Sequence, residues 1–217
     1  TTPSIGTIEA AIFAAAEQVE QRRAQAGAQW ADKPEAAAPF GLRILIRPRG
    51  GSFVYNADEG RAMIADVRRI ASLALEMAEF TRPQATGGGR GELPPAVDLG
   101  FVVGALTEDG TIDRGLVRLL VDMSNGAPVT FHRAFDQCRD TVEAYGDLEG
   151  LGVRYVLTSG AAQTAADGAS VTFTYAGSPE AAKQVAAETG STAVLTDSAD
   201  DEELLAETDT ETDYETA

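Results

Sequence analysis

The chain has 217 residues, which is enough for one α/β domain with a sizeable core. It carries 34 acidic against 17 basic residues, and the net charge of -17 argues against nucleic acid or an anionic membrane surface as the main partner. A single cysteine, Cys138, excludes an internal disulfide, and no stretch approaches 18 consecutive apolar residues, so we expect a soluble cytoplasmic protein.

The first predicted element is a helix that starts at Ser4 and ends near Gly27, because its apolar residues recur at three- and four-residue steps. Residues 28–39 show no clear period and are predicted to form a loop. The chain starts with Thr-Thr-Pro-Ser and no initiator methionine, so we expect a processed start or a fragment.

A first strand is predicted over residues 42–47, followed by a glycine loop and a helix. Asn56 and Glu59 form a predicted capping box at the start of that helix. Residues 81–95 are low in complexity and are interpreted as an insertion. A second strand is predicted over residues 99–105.

The next helix is predicted from an apolar face, and a third strand follows it over residues 128–131. Asp140 with Glu143 then caps a further helix, and a strand follows over residues 153–160. The residues assigned to the two helix faces are Ile112, Leu116, Leu119, Leu120 and Met123, then Val142, Tyr145 and Leu148.

The pattern weakens after Gly160. Residues 171–175 alternate like a strand, Ser178 begins a helix, and residues 191–195 form a short last strand. Residues 197–217 are rich in acids and are predicted to be a disordered tail, so the domain is assigned to residues 1–196 with insertions near 28–39 and 81–95.

Strands alternate with helices, and the strands are almost continuously apolar. This pattern predicts parallel strands with helical crossovers, and the short loops favour a TIM-type (β/α) barrel over a two-layer sheet. The chain contains neither G-x-G-x-x-G nor G-x-x-x-x-G-K-[ST], so a dinucleotide fold or a P-loop gains little support.

Polar side chains follow the apolar strands at their carboxyl ends, where ligands bind in α/β folds. Arg47 and Arg49 follow the first strand, and their planar donor forks suit a phosphate or carboxylate, although surface ion pairs would also explain them. His132, the only histidine, follows the third strand with Arg133 and Asp136. Asp136 could orient the imidazole or take a proton itself.

Thr158 and Ser159 end a later strand and could seat an oxyanion. A metal site is less well supported, since His132 and Cys138 are six residues apart and match no standard ligand spacing. They are the only soft-site candidates besides three methionines, which core packing explains better.

Five segments resemble the CutC family, which is named for copper homeostasis. Two of them, I-R-P-R-G-G-S-F-V-Y and V-T-F-H-R-A-F-D, are specific motifs found in the right order. The segments are T-P-S-I-G-T-I at residues 2–8, I-R-P-R-G-G-S-F-V-Y at 46–55, G-A-L-T-E-D-G-T-I-D at 104–113, V-T-F-H-R-A-F-D at 129–136 and V-L-T-S-G at 156–160.

The resemblance covers residue 1 to about residue 160, and it implies a cytosolic, often self-associating TIM-type barrel with a polar pocket at its C-terminal face. It also implies copper homeostasis or copper binding. Family members begin with two strands before the T-P-S segment, so the barrel is expected to be incomplete, with a diverged C-terminal part. The site residues that it carries over are Arg47, Arg49, His132, Arg133, Asp136, Thr158 and Ser159.

Three functional hypotheses follow. The chain is a copper-handling protein whose Cu(I) affinity depends on His132 or Cys138. Alternatively, it is an enzyme of unknown reaction that acts on a small anion, with His132 and Asp136 as acid and base and with Arg47 and Arg49 as the anion clamp. The third hypothesis is an inactive fragment of such a protein.

Overall fold

The computed structural model of the chain describes residues 1–80, 96–168 and 193–194. In these ranges helices and strands alternate as predicted. The helices are α1 (Ile5–Ala26), α2 (Pro34–Ala37), α3 (Ala57–Phe80), α4 (Arg114–Met123) and α5 (Thr141–Leu151), with short 3-10 helices at Trp30–Asp32 and Arg133–Gln137. The strands are β1 (Phe40–Leu45), β2 (Val97–Val103), β3 (Val129–Phe131), β4 (Tyr155–Val156) and β5 (Ala193–Val194).

The five strands form one sheet in the order β1-β2-β3-β4-β5. The first four strands are parallel, with Leu42 opposite Leu99 and Phe101 opposite Val129, and helices connect them. This confirms the α/β class with parallel strands. β1 and β5 are the two edges of the sheet in the part of the chain that the structure describes, so these strands alone do not close a barrel.

The last strand differs from the prediction in its direction. A strand was predicted over residues 191–195, and β5 lies inside that range, but it runs antiparallel to β4. The remaining predictions after Gly168, the strand at 171–175, the helix from Ser178 and the tail at 197–217, lie outside the described residues, as does the insertion at 81–95.

Helices α1, α3 and α4 pack on β1 to β3 and bury the larger part of the core. Phe101 lies in this part of the core, Phe131 lies in a second cluster with Phe53 and Leu148, and both phenylalanines are fully buried. The predicted face of α1 is confirmed, since Ile8, Ile12 and Val19 are all buried against the sheet or the neighbouring helices. Ser4 Oγ accepts a hydrogen bond from Thr7 N–H at 3.2 Å and starts α1.

The capping box at the start of α3 is confirmed. Asn56 Oδ1 accepts from Glu59 N–H at 3.0 Å, and Glu59 Oε2 accepts from Asn56 N–H at 2.9 Å. The two reciprocal bonds satisfy backbone donors that the first turn of a helix leaves free.

Two details of the predicted elements are wrong. Residues 28–39 contain a 3-10 helix and α2 instead of a plain loop, because Pro34 starts α2 and Lys33 Nζ donates to Ala26 O at 2.8 Å, which ties the segment to the end of α1. Leu119 and Val142, assigned to apolar helix faces, are 46% and 70% exposed, since the buried sides of α4 and α5 are formed by other residues.

Candidate functional site

The carboxyl ends of β1 to β4 bring the predicted site residues to one edge of the sheet. After β1, Arg47 N–H donates to Thr2 Oγ1 at 3.0 Å, and its Nη2 donates to Gly51 O at 2.6 Å. The guanidinium lies over the Phe53 ring, 4.5 Å from its centroid. Arg47 Nε is buried and has no hydrogen-bond partner in the described part of the chain.

Arg49 has a different set of contacts, which hold it in place. Its Nε donates to Glu59 Oε1 at 2.5 Å, and its two Nη atoms donate to the carbonyls of Ser52 and Val54, each at 2.8 Å. The guanidinium also lies over the Tyr55 ring. The predicted anion clamp therefore contains one arginine, Arg49, that already has a carboxylate partner within the chain.

His132 lies directly after β3, where its backbone N–H donates to Val103 O at 2.7 Å. Only 6% of the residue is exposed. Its Nδ1 accepts from Ala134 N–H at 3.1 Å and starts the 3-10 helix Arg133–Gln137. The imidazole packs against Phe53, with ring centroids 4.8 Å apart.

The environment of His132 fixes its protonation state. Burial, and then the positive charge of Arg47, lower the pKa of His132 to about 4, so the ring is neutral near pH 7. Because Nδ1 accepts a hydrogen bond, the proton of the neutral ring is on Nε2. That Nε2–H group is buried without an acceptor among the described residues.

Gly104, the residue after β2, makes room for this imidazole. A Cβ atom at position 104 would overlap the His132 ring. The imidazole thus occupies the space that the side chain of any residue other than glycine would take at position 104. The geometry of the site therefore depends on glycine at this position.

Asp136 is the centre of a second group. It accepts hydrogen bonds from the Thr158 hydroxyl, from Ser159 N–H at 3.0 Å, from Ala161 N–H at 3.1 Å and from Arg133 Nε at 2.9 Å. Burial would raise the pKa of Asp136, but the hydrogen bonds from Thr158, Arg133 and the backbone outweigh it and hold the pKa below its ordinary value.

The predicted residues thus form two groups. Arg47 and His132 lie against Phe53, whereas Arg133, Thr158 and Ser159 surround Asp136. Asp136 accepts its side-chain hydrogen bonds from members of the second group. The imidazole of His132 accepts its hydrogen bond from Ala134 N–H.

Copper ligands would have to come from the His, Cys, Met and acidic side chains of the described residues. These residues contain no group of three or more His, Cys, Asp or Glu side chains that could hold a metal ion. Burial and the nearby charge of Asp136 raise the pKa of Cys138 to about 12, so the thiol stays protonated. His132 Nε2 carries a proton, and Met63 and Met77 are buried in the core. This donor set does not fit a closed copper centre within the described part of one chain.

Three residues that help to form the site were not predicted from the sequence. Phe53 and Tyr55 lie in the I-R-P-R-G-G-S-F-V-Y motif, and Gly104 begins G-A-L-T-E-D-G-T-I-D. Their presence in these motifs was the available signal. Leu106 N–H donates to Phe53 O at 3.0 Å, and this bond sets Phe53 beside the end of β2.

No helix among the described residues has the length and apolarity needed to span a bilayer.

A sheet whose first four strands are parallel and lie in chain order, with helical crossovers and polar groups at the strand ends, defines an α/β protein with the strand order of a (β/α) barrel. Comparison with known families identifies the group within that class. A model of the CutC family matches residues 96–204, which is half of the chain, and the chain belongs to this family. The match continues past residue 160, where the resemblance was expected to end, and enters the predicted tail.

Curated relatives agree with the family assignment. The family protein CutC of Glaesserella parasuis serovar 5 (strain SH0165) is 37% identical over 127 residues, which are 58% of this chain and 43% of that protein. The family protein CutC of Bacteroides fragilis (strain YCH46) is 36% identical over 57% of this chain and 40% of its own length. The matches thus span less than half the length of these relatives.

A solved structure shares the fold. The crystal structure of a CutC protein from Streptococcus agalactiae, named as a candidate copper homeostasis protein, is 25% identical and matches with a TM-score of 0.51. The match covers 80% of this chain and 64% of that one. It supports the barrel-type fold class predicted from the sequence.

Proposed function

We propose that the chain serves in copper homeostasis, the role for which the Streptococcus agalactiae relative is named. Membership of the CutC family carries this proposal. Copper would be the cargo of such a protein. The protonated Cys138 thiol and the Nε2–H form of His132 favour a role that does not use a closed copper centre inside one chain.

Copper tolerance tests this role. Deletion of the gene in the source organism should reduce growth at raised copper concentration, and expression of the chain should restore it. A Cys138→Ser variant should restore growth as well as the wild type, since the thiol is not expected to hold copper. A deletion strain that tolerates copper normally would contradict the proposal.

A second candidate function is binding or turnover of a small anionic ligand at the strand ends. The observation that favours it is the buried Nε2–H of His132, which lacks an acceptor and lies near the positive charge of Arg47. A buried donor without a partner costs free energy that a ligand could recover. The assignment of His132 and Asp136 as acid and base stays a prediction, as does anion binding by Arg133, Thr158 and Ser159.

Thermal unfolding in the presence of anions tests this candidate. Sodium phosphate should raise the Tm of the wild type above the value in sodium chloride at equal ionic strength, because a ligand that binds the folded state alone stabilises it. His132→Asn should lose most of the difference. An equal Tm in both salts would contradict an anion site.

We further propose that the protein works in the cytosol and self-associates. The single cysteine and the two sheet edges in the described part of the chain support this. Light scattering coupled to size-exclusion chromatography should give a mass above the 22.7 kDa of one chain. A mass of one chain at micromolar concentration would contradict self-association.

A further inference from the structure

Three buried polar atoms at the end of the sheet lack a hydrogen bond of good geometry to any described residue. They are Arg47 Nε, Tyr55 Oη and His132 Nε2. Buried polar groups are normally paired, so three unpaired groups in one region need an explanation.

The three residues belong to one neighbourhood. Arg47 and His132 both lie against the Phe53 ring. The charge of Arg47 lowers the pKa of His132, and the charge of Arg47 together with a hydrogen bond of poor geometry from its guanidinium opposes the rise in the pKa of Tyr55 that burial causes. The Tyr55 hydroxyl therefore lies close to the Arg47 guanidinium.

Arg49 positions Tyr55 without competing for a ligand. Its guanidinium lies 5.3 Å from the centroid of the Tyr55 ring and is fixed by Glu59 and two loop carbonyls. Glu59 is the carboxylate that acts on Tyr55, and its two oxygens are already engaged by Arg49 and by Asn56 N–H.

Each of the three groups can present a hydrogen. A guanidinium has donors and no acceptor, a phenol can donate, and the neutral imidazole offers Nε2–H because Nδ1 is occupied by Ala134 N–H. A site built in this way suits an oxygen acceptor with negative charge, and it does not suit a metal cation.

We propose that Arg47, Tyr55 and His132 form a donor-only site for an oxyanion, the phosphate or carboxylate group of a small ligand, in which Tyr55 is a binding residue. His132 acts there as a neutral Nε2–H donor, and neither as a base nor as a copper ligand. This inference rests on the second candidate function and names the ligand contacts of that anion site.

Copper binding at Nε2 would require the opposite tautomer. The Nε2 proton would leave, Nδ1 would become protonated, and the hydrogen bond from Ala134 N–H would be lost. The tautomer of His132 thus separates the two kinds of ligand.

Nitrogen-15 NMR of the full chain reads this tautomer directly. His132 is the only histidine, so its two ring nitrogens give the only imidazole signals. At about pH 7 we expect a protonated Nε2 and an unprotonated Nδ1. Inorganic phosphate or acetate should shift the Nε2–H resonance, and the two probes distinguish a phosphate site from a carboxylate site.

Matched variants test the other two donors. Tyr55→Phe should weaken binding of the preferred probe about tenfold, the loss of one hydrogen bond to an anion. Tyr155→Phe is its control, because that hydroxyl accepts from Arg154 on the neighbouring position. Arg47→Gln should weaken binding more than Tyr55→Phe, whereas Arg43→Gln, whose partner is Asp98, should leave binding unchanged.

The outcomes separate this inference from the functions on which it builds. A protonated Nδ1, or equal binding by Tyr55→Phe and Tyr155→Phe, would overturn the donor-only site even if phosphate binds elsewhere. No response to phosphate or acetate would overturn both the site and the anion-binding function. Cu(I) that shifts the imidazole signals and deprotonates Nε2 would overturn the donor-only site while supporting copper handling.

Discussion

The His132 imidazole lies against Gly104 at the end of β2 and leaves no room for a side chain at position 104. Gly104→Ala places a methyl group where the imidazole lies, and neither backbone can withdraw easily, since His132 N–H is bonded to Val103 O. We expect the free energy of unfolding to fall by about 2 kcal/mol, as for other overpacked sites. Urea unfolding followed by circular dichroism measures the change.

Gly146→Ala is the matched control for this prediction. Gly146 lies inside α5, and a Cβ atom there would meet no other atom within 4 Å. Alanine should stabilise the helix by up to about 1 kcal/mol. A Gly104→Ala protein as stable as the wild type would show that the imidazole can move aside.

Asp136 is expected to make stability depend on acidic pH. Its pKa is lower in the folded chain than the ordinary 3.8, so the ionised carboxylate stabilises the fold at neutral pH. That contribution is lost as the pH falls below 3.8 toward the lowered value. Asp136→Asn should reduce the free energy of unfolding by about 2 kcal/mol at pH 7 and flatten its dependence on pH in the acidic range. Chemical unfolding measured from neutral to acidic pH tests both effects.

Asp58→Asn serves as the control, because its side chain is 85% exposed and its partner Arg61 is also on the surface. It should change stability by less than about 0.5 kcal/mol. If Asp136→Asn behaved in the same way, the hydrogen bonds around Asp136 would contribute little to folding.

The sequence predicted where the site residues lie along the strands more accurately than it predicted their hydrogen-bond and ion-pair partners. Apolar strands ending in polar groups correctly placed Arg47, His132 and Thr158 beyond the strands of a parallel sheet. The pairing of Arg49 with Glu59 was missed, because Glu59 was already explained as a capping residue and one carboxylate serves both roles. Such sharing depends on side-chain conformations, which periodicity does not contain.

At the scale of elements, Glu59 couples the loop after β1 to helix α3. Glu59→Ala removes the acceptor of Asn56 N–H and the carboxylate partner of Arg49 together. We expect the free energy of unfolding to fall by more than the loss of the capping contact alone would cause, because the ion pair with Arg49 is lost at the same time. Urea unfolding measures it.

Asp58→Ala, one residue earlier in the same first turn, is the comparison for Glu59→Ala. It removes an acid whose side chain is exposed and pairs with Arg61 of the same helix, so its cost should stay below about 0.5 kcal/mol. Equal effects of the two substitutions would mean that helix-end charge alone, and not the shared carboxylate, stabilises this junction.

Helix boundaries were predicted well where caps mark them, as at Ser4, Asn56 and Asp140. Faces were predicted less well. Leu119 is apolar and has the right spacing, but it lies on the exposed side of α4, because exposed apolar residues are common and periodicity alone cannot separate them from the core.

At the scale of the whole molecule, the net charge of -17 should oppose folding at neutral pH and low salt. Sodium chloride screens this repulsion, so the Tm should rise by several degrees between about 0.01 M and 1 M salt at pH 7. Near the sequence pI of about 4.3 the repulsion vanishes, and the salt dependence should largely disappear. Differential scanning calorimetry measures it, and a Tm that falls with salt at pH 7 would show that attractive ion pairs dominate.

The overall class was predictable, since alternating helices and apolar strands allow few arrangements other than a parallel α/β sheet. The antiparallel direction of β5 was not, because two residues of strand carry no signal of direction. The direction of a strand depends on tertiary structure, which a two-residue apolar segment does not encode.

Because a Cβ atom at position 104 would overlap the His132 ring, positions 104 and 132 cannot vary independently. A side chain at position 104 is harmful only while the imidazole is present, so the two substitutions should be epistatic. In a double-mutant cycle, Gly104→Ala should cost much less in a His132→Ala background than in the wild type. Two positions 28 residues apart in sequence would then evolve as one unit, in which glycine is kept for the sake of the histidine.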